Sequence, residues 1–142
     1  MIQLTRNHLP GTMKVFAKLE TREAVKSLHD LIAASDGLII RRSDLAMQYT
    51  PEKIFKLQKY IVAHCNIAEK PVFIIEQLLE SMVNKPRPTR AESSDIANAV
   101  LDGADGLVLT METSWGMYAL ESVSTVDNVG TFYSNRRWEA SR

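Results

Sequence analysis

The chain has 142 residues, 45% of them hydrophobic and 24% charged, and its 17 basic side chains balance 17 acidic ones. That length builds one globular domain with a core that needs neither disulfide nor metal. Zero formal net charge argues against nucleic-acid binding, no apolar run approaches a membrane span, and a lone Cys65 excludes a disulfide framework and a cysteine zinc site, so a cytoplasmic address is expected. Met1 to Pro10 lacks the apolar segment of a secretory signal.

In chain order, residues 1–11 read as a lead-in, and Val15-Phe16-Ala17 is the first of four short apolar runs. The others are Leu38-Ile39-Ile40, Val72-Phe73-Ile74-Ile75 and Leu107-Val108-Leu109. Nearly continuous rather than alternating, they predict strands covered on both faces. Successive runs lie roughly 24 to 35 residues apart, enough for a crossover helix between each pair. Thr21 predicts the cap of a helix presenting Val25, Leu28 and Ile32. Thr50-Pro51 opens a second, with Ile54, Leu57, Ile61, Val62 and Cys65 at helical spacing. Two prolines in Asn84 to Pro88 predict a loop. Thr89 and Glu92 match a capping box, opening a helix with Ile96, Ala97, Val100 and Leu101 inward and an end near Gly103. A weaker helical pattern through Leu120, Val123 and Val126 is expected to erode at Gly130, leaving residues 131–142 as a polar tail in which Arg136 and Arg137 are solvated.

The fold class is therefore α/β: four βα units, either a small open sheet or part of a barrel. No glycine-rich phosphate loop follows the first strand. In a (β/α) barrel the chemistry sits where strands end, and those positions here hold Lys18, Glu20, Arg41 to Asp44, Glu76 and Thr110 to Thr113.

Those residues have recognisable neighbours. Leu79 to Glu92, reading LESMVNKPRPTRAE, resembles a signature stretch of the pyruvate kinase family, and Ala97 to Asp105 continues it in register. Lys18-Leu19-Glu20 is similar to the family's Lys-Ile-Glu-Asn motif, and Ala34 to Leu45 to its Ser-Asp-Gly and Arg-Gly-Asp-Leu-Gly stretch. Glu112, Thr113, Gly116 and Tyr118 fall where the family has Gly-Glu-Thr-Ala-Lys-Gly-Asp-Tyr-Pro. The resemblance runs collinearly from about residue 12 to 125 and makes residues 12–130 the second half, strands five to eight, of a TIM (β/α)8 barrel of about 250 residues. The family's first four strands, lid and C-terminal domain have no counterpart in these residues.

The resemblance implies phosphoryl transfer from phosphoenolpyruvate to ADP in glycolysis, a reaction governed by positioning and charge neutralisation. Glu20 and Asp44 match the carboxylates holding the family's Mg²⁺ (or Mn²⁺), Lys18 the lysine that neutralises the transferring phosphoryl group, and Arg42, Ser43 and Asp44 the substrate-facing loop. On spacing alone, Lys18 and Glu20 describe an ordinary ion pair at a strand end more readily than a site, since residues two apart share a strand face. Two carboxylates beside Lys18 are expected to hold a divalent ion weakly, in about the millimolar range, Mn²⁺ before Mg²⁺.

Several positions depart from the family. Glu76 stands where a threonine handles the enolate proton, and adds like charge beside an anionic substrate. Ser43 and Ala46 replace glycines whose amides approach the substrate, Arg41 replaces a small residue, and Met111 and Trp115 replace a glycine and a lysine. The family's K⁺ ligands and nucleotide contacts find no residues here. His8, His29 and His64 are scattered, the latter two on helix surfaces, and Cys65 reads as core.

Three readings follow. The chain is a pyruvate kinase fragment or truncated paralogue, inactive alone; or a non-catalytic half-barrel with an interaction or regulatory role; or a Mg²⁺-dependent lyase or aldolase-like enzyme. Open sheet edges predict self-association or pairing with an intact family member.

Overall fold

The computed structural model describes residues 7–139. They form two compact units, divided between Ile74 and Ile75, and one four-stranded parallel sheet of order β1-β2-β3-β4.

The first unit contains β1 (Phe16–Leu19), α1 (Arg22–Lys26), α2 (Leu28–Ala34), β2 (Gly37–Arg41), α3 (Arg42–Gln48), α4 (Pro51–Ile67) and the start of β3 (Val72–Ile75). Thr21 caps α1 by accepting the Ala24 N–H at 3.1 Å. The single helix expected here breaks at Ser27, which ends α1 and starts α2, and Leu28 and Ile32 are its buried residues. The four residues of β1 pair in parallel with β2, from Phe16 opposite Gly37 to Leu19 opposite Ile40. Asp36 fastens the start of this pair: its carboxylate accepts the Val15 N–H at 2.7 Å, and its own N–H donates to the Val15 carbonyl at 2.8 Å.

The strands are not covered equally on both faces. Ala17, Leu19, Leu38, Ile40, Val72 and Ile74 are buried, while Phe16, Ile39 and Phe73 are half-buried and Lys18 is exposed. One face carries the core, with α2 and α4 packed on β2. The other follows the period-two alternation that an apolar run conceals when both phases are occupied by large side chains. On that second face the Phe16 and Phe73 rings meet edge to face, 5.5 Å between centroids.

In α4, Thr50 and Pro51 occupy the expected N-cap and first position. The Thr50 hydroxyl bonds the Glu52 carboxylate instead of a backbone amide. Ile61, Val62 and Cys65 are buried, so the cysteine is core. His29 and His64, on α2 and α4, stack edge to face at 5.0 Å.

The second unit contains a 3₁₀ turn (Glu80–Val83), α5 (Arg90–Asp102), β4 (Gly106–Val108), α6 (Met111–Ser114) and α7 (Ala119–Glu139). The capping box at Thr89 and Glu92 forms, and Gly103 ends α5 in the left-handed region at φ 96°. Its inward residues are Ile96, Ala97 and Ala99; Leu101, expected inside, is exposed. The expected end at Gly130 is corrected: α7 continues to Glu139, because a single interior glycine costs a helix only about 1 kcal/mol and does not by itself end it. Residues 131–139 are thus helical, while the side chains of Arg136 and Arg137, the rest of the tail and residues 1–6 of the lead-in lie outside the described residues. Among the described residues no helix is long and apolar enough to cross a membrane.

Glu92 does more than cap its own helix. It accepts the Ser81 N–H at 2.8 Å, the Ser81 hydroxyl at 2.5 Å and the Thr89 N–H at 2.7 Å, tying the 3₁₀ turn to α5. Partial burial opposes ionisation, but the bonds from Ser81 and Thr89 outweigh it and hold the Glu92 carboxyl below its ordinary value. A carboxyl lowered by folding stabilises the fold above its unfolded-state pKa, and that contribution disappears as pH falls through the folded-state value. Glu92→Gln is therefore expected to lose about 1–2 kcal/mol at neutral pH. Urea midpoints measured against pH are expected to converge with wild type in acid; a gap independent of pH would refute this.

Candidate functional site

The first unit assembles most of the charged set anticipated at the strand ends. Lys18 lies within β1, on the strand face opposite buried Ala17 and Leu19. Glu20 follows the strand directly. The β1–β2 register, with its offset of 21 residues, places Arg41 opposite Glu20 when carried one residue past Leu19 and Ile40. Asp44 stands in the first turn of α3, three residues after Arg41.

Four charges converge there. Lys18 Nζ donates to Glu20 Oε1 at 2.8 Å. Arg41 Nη1 donates to the same Glu20 oxygen at 3.2 Å and to Asp44 Oδ2 at 3.1 Å. Glu20 is held below the ordinary carboxylate range, first by the Lys18 hydrogen bond, against a smaller desolvation penalty and with help from Arg41. The side chains remain 27–44% exposed, so the cluster lies within reach of solvent.

A second layer holds the loop that carries Glu20. The Gln48 side chain, at the end of α3, accepts the Arg22 N–H at 2.9 Å and donates to the Glu20 carbonyl at 3.4 Å. The Arg22 guanidinium donates back to the Gln48 carbonyl, its Nε at 2.7 Å, and lies 5.0 Å over the Tyr49 ring. Neither Arg22 nor Gln48 stood out in the sequence, since neither belongs to a motif with a fixed spacing.

Arg42 does not join the cluster. It is 5% exposed and donates to Gln58 Oε1 of α4 at 3.3 Å, which places the expected substrate arginine inside the unit as a packing and hydrogen-bonding residue. Ser43 is half-buried in the first turn of α3. Glu76 belongs to the second unit, where it and Gln77 occupy the left-handed region at φ 70° and 53°. Two consecutive non-glycine residues there mark a constrained turn after β3. Neither side chain is of the type that announces such a turn in sequence. The fully buried Glu112 of α6 accepts the Leu79 N–H at 3.0 Å and the Thr110 N–H at 2.9 Å, which makes it one of the links between the segments after β3 and β4.

The same architecture recurs in known proteins. The family model for the pyruvate kinase barrel domain matches residues 3–123. The chain belongs to the pyruvate kinase family. It is 48% identical over 111 residues to pyruvate kinase PKLR of Homo sapiens, covering 78% of this chain and 19% of that one. It is 41% identical over 126 residues to pyruvate kinase of Sporosarcina psychrophila, covering 89% and 22%. A crystal structure of a pyruvate kinase from Cryptosporidium parvum superposes with a TM-score of 0.87 at 40% identity, covering 91% of this chain and 28% of that one. The chain thus spans about a fifth of the curated relatives' length and matches a partial pyruvate kinase barrel.

Glu20 and Asp44 carry the hard oxygen donors that a pyruvate kinase Mg²⁺ would take. Their arrangement does not fit the ion. One guanidinium nitrogen stands within 3.2 Å of both carboxylates, and Glu20 also carries the Lys18 ammonium. The donor set is already neutralised by organic cations. The weak metal site expected from Glu20, Asp44 and Lys18 did not include Arg41, which reaches Glu20 through the β1–β2 register.

Proposed function

We propose that this chain supplies the strand-end face of a pyruvate kinase-type barrel, whose reaction is phosphoryl transfer from phosphoenolpyruvate to ADP in glycolysis, and that the 142 residues alone do not turn over. The observation that carries the assignment is the convergence of Lys18, Glu20 and Asp44 at the ends of two adjacent parallel strands. Lys18 is the residue assigned to the transferring phosphoryl group, Ser43 and Asp44 to the substrate loop, and Glu76 to the family's threonine position. Arg42 acts in this reading by fixing the loop through Gln58. No step is routed through Mg²⁺ or Mn²⁺, because Glu20 and Asp44 as placed do not fit either ion.

What these residues can do follows from their charges. Lys18 is bonded to Glu20, so it meets an anionic phosphoryl group only by sharing or leaving that carboxylate. Arg41 presents a second fixed cation at the same place. Such a site spends its positive charge internally and offers an incoming anion no net charge. That arrangement favours a second reading, a non-catalytic half-barrel with an interaction or regulatory role, over a metal-dependent lyase.

The small-molecule partners in the first reading are phosphoenolpyruvate or pyruvate and ADP or ATP, in a cytoplasmic setting. Because β1 and β4 are the sheet's edges, a second copy or an intact family member is the protein partner proposed in both. A coupled assay with Mg²⁺, K⁺, phosphoenolpyruvate and ADP tests turnover. The expected result is no pyruvate above a blank without protein. Turnover that disappears in Lys18→Met would overturn the proposal of an inactive isolated chain.

A further inference from the structure

We propose that the Arg41 guanidinium is a built-in cation that takes the place of a divalent metal between Glu20 and Asp44, so that the carboxylate pair is closed to Mg²⁺ and Mn²⁺ while Arg41 is present and opens to them when it is removed. The inference rests on the functional reading above only for the identity of the excluded ion. Its test reads metal binding without substrate, whereas the turnover assay reads product, so the two fail separately.

The geometry is specific. Arg41 is the last residue of β2, Glu20 the first residue past β1, and the parallel register sets them side by side. Asp44, one helical turn beyond Arg41, brings the second carboxylate to the same nitrogen. Arg41 Nη1 is 3.2 Å from Glu20 Oε1 and 3.1 Å from Asp44 Oδ2, so a single N–H-bearing atom lies between the two anions. An ion shared by those oxygens would sit about 2.0–2.1 Å from each as Mg²⁺, in the space this nitrogen fills. The two cannot coexist: volume overlaps, and a +2 ion beside a guanidinium is repelled at close range.

The charge count agrees. Glu20 and Asp44 carry two negative charges, and Lys18 and Arg41 return two positive ones. Guanidinium does not lose its proton at any ordinary pH, so its hold on the carboxylates is permanent in a way that a histidine's or a lysine's is not. Its planar fork suits carboxylate oxygens presented from two elements. The device therefore substitutes a fixed organic cation for an exchangeable inorganic one and keeps the β1 and β2 ends together in either case.

The experiment is a Mn²⁺ titration of the full 142-residue chain, followed by water-proton relaxation and free-ion electron resonance. Wild type is expected to show no saturable Mn²⁺ site. Arg41→Ala is expected to bind Mn²⁺ at least about tenfold more tightly than wild type, as removal of a charge at contact distance predicts. Arg41→Gln, which keeps much of the side-chain length and loses the charge, is expected to gain binding as well, and it decides the matter if Arg41→Ala fails to fold. Arg41→Lys, still charged, is expected to remain like wild type. The gain is expected to vanish when Asp44→Asn or Glu20→Gln is added to Arg41→Ala, and to persist when Asp105→Asn is added instead. Saturable binding in wild type equal to that in the neutral Arg41 variants, or a gain that survives loss of both carboxylates, would overturn the inference.

Discussion

Glu112→Ala is expected to destabilise the chain by about 2–5 kcal/mol, because two backbone amides lose their carboxylate acceptor, the Leu79 amide in a buried setting and the Thr110 amide in a half-buried one. Glu112 is 1% exposed, and its two oxygens are divided between Leu79 N–H at 3.0 Å and Thr110 N–H at 2.9 Å. Those amides belong to the segments leaving β3 and β4, so the carboxylate binds the two loops together, beside the Met117 N–H that donates to the Val83 carbonyl at 2.9 Å. Glu112→Gln is expected to cost less, since its carbonyl oxygen keeps one of the two bonds while its amide group turns a donor toward a donor. The measurement is the urea midpoint at constant m-value, with the exposed Glu121→Ala as a comparison. A Glu112→Ala midpoint no lower than that of Glu121→Ala would show that the two loops are held by other contacts.

Glu112 also illustrates what sequence can and cannot reveal. Its motif pointed to the family, but nothing in the spacing of Glu112 and Thr113 distinguishes a catalytic carboxylate from one that caps two buried amides. The strands and the helices around them were readable because they follow from short-range rules. Apolar runs gave β3 with its bounds unchanged, and the capping box at Thr89 formed as expected. The break at Ser27 escaped because it depends on tertiary surroundings, and the run of α7 through Gly130 because one glycine's cost of about 1 kcal/mol does not by itself stop a helix. At the site, Lys18, Glu20 and Asp44 came from a resemblance that is collinear along the chain. The contact that changes their chemistry did not. Arg41 reads as one more charge in a loop, and only the β1–β2 register shows that it lies between the carboxylates. Arg42 has the opposite history: adjacent in sequence and equally charged, it turns into the unit toward Gln58.

The register itself depends on Gly37, and Gly37→Ala is expected to cost about 3 kcal/mol, the upper end of what overpacking a filled site costs. Gly37 lies directly opposite Phe16, and a Cβ built on it would fall 2.4 Å from Phe16 Cε1 and 2.6 Å from the Pro71 carbonyl oxygen. Both distances are below any ordinary contact. The ring has some freedom to move, although its edge-to-face packing on Phe73 resists this. The Pro71 oxygen has less, because it is backbone and already accepts the Leu38 N–H at 2.9 Å. Relief therefore comes mainly from displacing β2 against its neighbours. Phe16→Ala in the same chain is expected to remove the ring clash and leave the oxygen clash, so the double variant should be more stable than the two single losses sum to, by about 1 kcal/mol. Gly37→Ala should still destabilise the Phe16→Ala background. Four residues beyond Gly37, the displaced strand carries Arg41 past Glu20, so the same shift is expected to loosen the ion-pair cluster. Urea midpoints for the four members of the cycle measure the coupling. A Gly37→Ala midpoint equal to wild type would show that β1 and β2 absorb the methyl group without moving.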